Sequence, residues 1–163
     1  MKLKTRDIVY IGFIAALCAV ATTIRIEIPG GAMVHLGSAA LFTTSILFGG
    51  LYGGLGAAIG SALFDLFGGH TQYIVFSFFI KGIAGLIVGG MTAGYLPPSI
   101  NKPTASFSRI LVALIIGAIW TAFGYFIAWW FVLNSAAVAA SKIQYSLITS
   151  AAGIIVAIVL TPK

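Results

Sequence analysis

Charge is what this sequence has least of. Of its 163 residues only 7% are Asp, Glu, Lys or Arg, whereas 60% are hydrophobic. A soluble domain carries about 25% charged residues, so most of this surface must be covered by something other than water. The acids are Asp7, Glu27 and Asp65 alone. That nearly excludes two-metal and paired-carboxylate chemistry, which needs several acids converging on one site. Cysteine occurs once, as Cys18 in an apolar run. It forms no intrachain disulfide and reads as a small packing residue. His35 and His70 lack metal-ligand spacing to each other or to Cys. No Gly-x-Ser-x-Gly, His-Glu-x-x-His or Walker motif is present, so hydrolase, zinc-protease and P-loop ATPase mechanisms lack their residues. An enzyme is disfavoured; no catalytic residue, metal or cofactor is expected. The net charge is +6, but the cations are scattered. Nucleic-acid binding needs a basic patch on a water-facing surface; the sequence has no basic run and leaves little such surface.

What is abundant is apolar sequence in long runs without period-2 alternation. Backbone facing lipid must pair its N–H and C=O groups internally, so helices are expected rather than a barrel. The first span is read at Ile8–Ile24, too long for a signal-peptide core of 7–15 residues, and is taken as a retained helix. Arg25–Gly31 then reads as a polar junction broken by Pro29-Gly30-Gly31. The charge-free stretch Leu36–Leu63 is about 28 residues long, well beyond the roughly 20 that span a bilayer upright. Phe48-Gly49-Gly50-Leu51-Tyr52-Gly53-Gly54 lies in its middle, so it is split into helices at 36–48 and 51–66. Gly68–Gln72 is a loop. Span four is placed at Tyr73–Tyr95, the strongest break at Pro97–Thr104, span five at Ile110–Leu133, and span six at Tyr145–Leu160. Asn134–Lys142 reads as a small-residue connection, for which a helix stays open. The fold class predicted is an all-α integral membrane protein, a six-transmembrane-helix bundle, with residues 1–163 as one domain.

Charge placement supports the split. Cytoplasmic loops are enriched in Lys and Arg. Six spans put Lys2, Lys4, Arg6, Lys102, Arg109 and Lys163 on one side, with Arg25 and Lys142 on the other. A single span at Leu36–Leu63 would erase that bias. Both termini are therefore expected in the cytoplasm of a multi-pass cell-membrane protein.

The outward half collects unusual polarity for so apolar a chain. His35 flanks the first outer loop, Asp65, Gln72 and Tyr73 the second, and Trp129, Asn134 and Gln144 the third. A small polar ligand needs such aromatic walls and a few orienting groups, although Trp and Tyr at helix ends also form ordinary interfacial belts. Lys81 lies inside span four. An intramembrane charge marks function by default and should point into the bundle, towards a ligand or Asp65. In span one, Gly12, Ala15, Ala16 and Ala19 form a small-residue stripe, which admits close approach of another helix from this chain or a partner.

Four stretches in this order resemble the substrate-binding (S) components of energy-coupling factor (ECF) vitamin transporters. They are Ile28–Gly37, Leu47–Ala57, Ser61-Ala62-Leu63-Phe64-Asp65-Leu66 and Ile80-Lys81-Gly82-Ile83-Ala84-Gly85-Leu86. The Ala15-x-x-x-Ala19 stripe is similar to the motif by which that family docks on its transmembrane coupling (T) subunit. The resemblance implies a prokaryotic subunit that captures a water-soluble vitamin outside and delivers it inward with the T subunit and two cytoplasmic ATPases. It implies His35, Gln72, Tyr73, Lys81, Trp129, Asn134 and Gln144 as ligand candidates. The pattern is most similar to the pyridoxine or hydroxymethylpyrimidine branch; pantothenate, riboflavin and a queuosine precursor stay open. A structural or assembly subunit of another membrane complex is the alternative of a different class.

Overall fold

A computed structural model describes residues 4–28, 32–96 and 105–161. Lys2, Lys163, the Pro29–Gly31 break and the Pro97–Thr104 loop with Lys102 lie outside the described residues. Six helices account for most of the rest: α1 (Thr5–Thr23), α2 (Gly37–Phe48), α3 (Gly50–Phe67), α4 (Ile74–Thr92), α5 (Phe107–Leu133) and α6 (Ala136–Leu160). Five are long and apolar enough to cross a membrane, and α2 is a shorter apolar helix. Between α1 and α2 stands an antiparallel pair, β1 (Arg25–Ile28) and β2 (Ala32–His35), with Arg25 opposite His35 and Glu27 opposite Met33.

The split of the long apolar stretch is where expected. Gly49 takes φ +87°, a left-handed conformation suited to glycine. Here the first N–H groups of α3 would be orphans. They are satisfied from the end of the α4 segment: Gly50 N–H donates to Gly94 O and Leu51 N–H to Tyr95 O, both at 2.9 Å. α2 is buried on nearly every side, including Leu41, Phe42 and Ser45. A helix enclosed all round needs no polar face, which is why its sequence shows no amphipathic stripe.

Glycine sets how closely the helices approach. Gly50 and Gly54 of α3 face Leu86, Gly82 and Gly90 of α4, and Gly85 faces Gly54 in return. Gly56 and Gly60 receive Ile14, Ala15 and Cys18 of α1. Several buried threonines satisfy their hydroxyls on their own helix, as Thr22 does on Cys18 O and Thr44 on Ala40 O, each at 2.7 Å.

Two expectations are corrected. Arg25–Ile28 is not an irregular junction but strand β1, paired antiparallel with β2: Arg-Ile-Glu-Ile alternates in the sequence as a strand does. Span six starts earlier than Tyr145, because the small-residue connection Asn134–Lys142 takes the helical of its two readings from Ala136 onward. The chain turns only at Asn134, in the left-handed region at φ 52°, and Ser135 caps α6 by accepting the Val138 N–H at 3.3 Å. α6 then runs unbroken from Ala136, so Lys142 and Gln144 sit on a helix and Lys142 is buried.

Candidate functional site

At the end of the bundle that carries the hairpin, the helices part around a cavity of about 90 Å³. Period-2 alternation in the strands sets Arg25, Met33 and His35 on one face. Met33 and His35 line the cavity from above. Arg25 lies 5.0 Å over the Phe64 ring and pairs with Glu27 at 2.7 Å. The floor and walls come from helical rows at three- or four-residue spacing, which stacks side chains on one face. These are Ser61 and Asp65 on α3, Ser77 and Lys81 on α4, Thr121, Tyr125 and Trp129 on α5, and Ser146 and Thr149 on α6. Ser38 of α2, Thr22 of α1, Phe64, His70 and Tyr73 complete it.

The chemistry of this lining is mixed. Lys81 is 4% exposed; its ammonium donates to Ser38 Oγ at 3.1 Å and lies 5.4 Å from the Tyr125 ring centre. The Tyr125 and Ser77 hydroxyls share a hydrogen bond of 3.0 Å. Asp65 is 7% exposed. No ion pair joins it to Lys81, so the pairing considered from sequence is not made. Three buried polar atoms of the lining have no hydrogen-bond partner: Asp65 Oδ2, His70 Nε2 and Thr149 Oγ1. Buried polar groups are nearly always satisfied, so these atoms mark where a bound molecule or water would be held. Burial, reinforced by the positive charges of Lys81 and Arg25, pushes His35 down to about 3. Its Nδ1 accepts the Gly37 N–H at 3.1 Å, which leaves Nε2 to carry the hydrogen of the neutral ring.

Of the ligand candidates named from sequence, His35, Asp65, Tyr73, Lys81 and Trp129 come together here. Gln72, Asn134 and Gln144 do not line the cavity and are exposed. Gln72 sits in the turn before α4 and Asn134 is used as a helix terminator. Gln144 follows the corrected course of α6, which turns it away. Sequence reasoning missed Ser38, Ser77, Thr121, Tyr125, Ser146 and Thr149. The available signal was spacing: Ser77 is one turn from Lys81, and Thr121 and Tyr125 are in line with Trp129. The small-residue stripe of α1 also divides. Gly12 and Ala16 are exposed and Ala19 is partly so, but Ala15 is 3% exposed against α3. A second groove between α5 and α6, lined by Ile119, Phe123, Phe126 and neighbours, is wholly apolar and could not orient a polar ligand.

Metal ligation finds no support, since no cluster of three His, Cys, Asp or Glu occurs among the described residues. The architecture is that of a polytopic membrane protein with a polar-lined cavity at one end of a helical bundle. It matches a solved S component of a bacterial ECF transporter with a TM-score of 0.67, 22% identity, and 97% and 94% of the two chains covered. Residues 2–163 match the family model described as ECF-type riboflavin transporter, S component, and the chain belongs to that family. It is a transporter subunit, not an enzyme. An uncharacterized protein of Pyrococcus woesei is 29% identical over 142 residues, covering 86% of this chain and 88% of that protein. The family description names riboflavin, one of the substrates left open from sequence.

Proposed function

We propose that the chain captures a small single-ring vitamin, pyridoxine or hydroxymethylpyrimidine, in the cavity beneath the hairpin. It releases the vitamin on the cytoplasmic side in complex with a T subunit and two ATPases. The observation that carries this is the set of unpartnered buried atoms, Asp65 Oδ2, His70 Nε2 and Thr149 Oγ1, converging with Lys81 on one cavity. The volume of about 90 Å³ lies well below the roughly 300 Å³ at which pockets for drug-sized ligands begin, which favours one ring over three. Trp129 and Tyr125 offer the aromatic surface on which such a ring would rest. Riboflavin is the second reading, favoured by the family description. Asp65, His35, Tyr73, Lys81 and Trp129 are the residues assigned to the ligand; Gln72, Asn134 and Gln144 would act only from the rim.

Orientation follows from charge. Lys4, Arg6 and Arg109 stand at the ends of α1 and α5 remote from the cavity. Positive residues favour the cytoplasm, so the cavity opens outward and the termini lie inside. Lacking a Walker motif, the chain relies on partners for ATP. The exposed side of α1, with Gly12 and Ala16, is the face assigned to the T subunit, Ala19 flanking it. The test is calorimetry on the purified chain with pyridoxine, hydroxymethylpyrimidine, pantothenate and riboflavin. Micromolar or tighter binding of a single-ring vitamin supports the proposal. Binding of riboflavin alone transfers the assignment to the second reading, and binding of none points to a structural subunit.

A further inference from the structure

The cavity holds two ionisable groups of opposite type that do not satisfy one another. Asp65 Oδ2 meets no hydrogen-bond donor. Lys81 makes one hydrogen bond, to Ser38 Oγ, and an ammonium has three donors to place. Both side chains are more than nine-tenths buried and line the same space. Ser77 serves the Asp65 carboxyl as a hydrogen-bond neighbour, but Oδ2 is left without a donor, and Asp65 and Lys81 do not come into ion-pair contact. Among the other titratable groups at the cavity, none is a hydrogen-bond partner of Asp65 Oδ2, and the Tyr125 hydroxyl is bonded to Ser77. His35 is neutral and engaged with Gly37. His70 donates its backbone N–H to the Asp65 carbonyl at 2.8 Å, while its Nε2 stays unpartnered. Arg25 is committed to Glu27 and the Phe64 ring.

An unpaired buried charge costs several kcal/mol. Two of opposite sign on one cavity are stabilised together by a molecule that spans the gap and offers each its complement. We infer that this cavity selects a ring that is itself dipolar, with a hydrogen-bearing cationic edge against Asp65 and an anionic or strongly accepting substituent against Lys81. This rests on the reading of the cavity as a vitamin site, and it ranks the ligands within that reading. A 3-hydroxypyridine meets the requirement on a single flat ring. Its phenol proton moves to the ring nitrogen, leaving a pyridinium N–H and a phenolate oxygen with no change in net charge. An aminopyrimidine offers donors and acceptors but no separated charges, and a neutral flavin offers neither charge.

The experiment uses the full chain in detergent and four probes: pyridoxine, its analogue lacking the ring hydroxyl, hydroxymethylpyrimidine and riboflavin. Pyridoxine is expected to bind roughly 10- to 100-fold more tightly than the hydroxyl-free analogue, the range for a hydrogen bond to a charged group. Bound pyridoxine should keep the long-wavelength near-ultraviolet band of its dipolar form. Asp65→Asn and Lys81→Met should each weaken pyridoxine by a similar factor and the hydroxyl-free analogue by much less. The ligand series and the bound spectrum need no variant, so they decide the matter even if a substitution prevents folding. Equal affinity for pyridoxine and the analogue overturns the inference while leaving a single-ring vitamin site standing. So does tighter binding of hydroxymethylpyrimidine, or a bound spectrum of the uncharged tautomer. Binding of riboflavin with none of the single-ring probes removes the functional reading itself.

Discussion

Alanine at Gly85 tests the helix packing that shapes the cavity. α3 and α4 share the most extensive contact in the bundle, and Gly85 is pressed against the α3 backbone. A methyl group there would lie 2.6 Å from Gly54 Cα and 2.8 Å from Gly54 N, where ordinary contact begins near 3.4 Å. The helices must separate by nearly an ångström, because backbone atoms cannot rotate aside as a side chain can. Overpacking of this kind costs about 1–3 kcal/mol. Alanine recovers about 0.5–1 kcal/mol of that through its greater helix propensity, so a net loss of about 1 kcal/mol, and at most about 2.5 kcal/mol, is expected. Gly12→Ala is the matched control. Nothing lies within 4 Å of a methyl group at that position, so only the propensity gain applies and stability should rise slightly. Both can be followed by thermal unfolding in detergent with a thiol-reactive dye. Cys18 is the sole thiol and is 2% exposed, so it labels only as the bundle opens. A Gly85→Ala protein that melts at or above the parent temperature would refute the close α3–α4 contact.

Other substitutions separate docking, folding and binding. Ala16→Trp should leave vitamin affinity unchanged and abolish uptake by the assembled transporter; unchanged uptake would remove the docking role of α1. Ala15→Trp belongs to a different category, since its position against Gly60 predicts loss of folded protein, read as expression and melting. Tyr52→Phe removes the 2.6 Å hydrogen bond to Asp7 Oδ1 that ties α3 to α1 at the end remote from the cavity. It should lower the melting temperature without altering ligand affinity. In the unfolded chain His35 takes up a proton near its ordinary 6.5, whereas in the fold it resists until about 3. Unfolding therefore takes up a proton within that window, and stability falls as pH is lowered from about 6.5 towards 3. His35→Gln should show a shallower loss of melting temperature between pH 7 and pH 5 than the parent.

The membrane class, the helix count and the break at Gly49 were legible from residues alone. Scarcity of charge forces lipid contact, the length of Leu36–Leu63 forces a division, and paired glycines mark where. Membership of the S-component family was legible as well, from the order of four stretches. The hairpin and the early start of α6 were readable in part. The alternation at Arg25–Ile28 and the Asn134-Ser135 terminator and cap are local signals, but small apolar residues at Ala136–Ala140 suit helix and connection equally.

What the sequence determined by itself was the division into apolar helices, because hydrophobic length acts segment by segment and needs no knowledge of neighbours. Which polar residues meet was decided only by tertiary structure. Gln72, Asn134 and Gln144 are as polar as His35 and Asp65 and lie towards the same end of the bundle. Gln72 and Asn134 are taken up by turns at helix ends, and for residues on the helices themselves, facing the cavity depends on the rotation of the helix about its own axis. That rotation is set by glycine contacts such as Gly54 with Gly85 and Gly60 with Ala15. The same contacts bury Ala15 within a stripe whose other members face outward. They also bring Asp65 and Lys81 to one cavity without letting them touch.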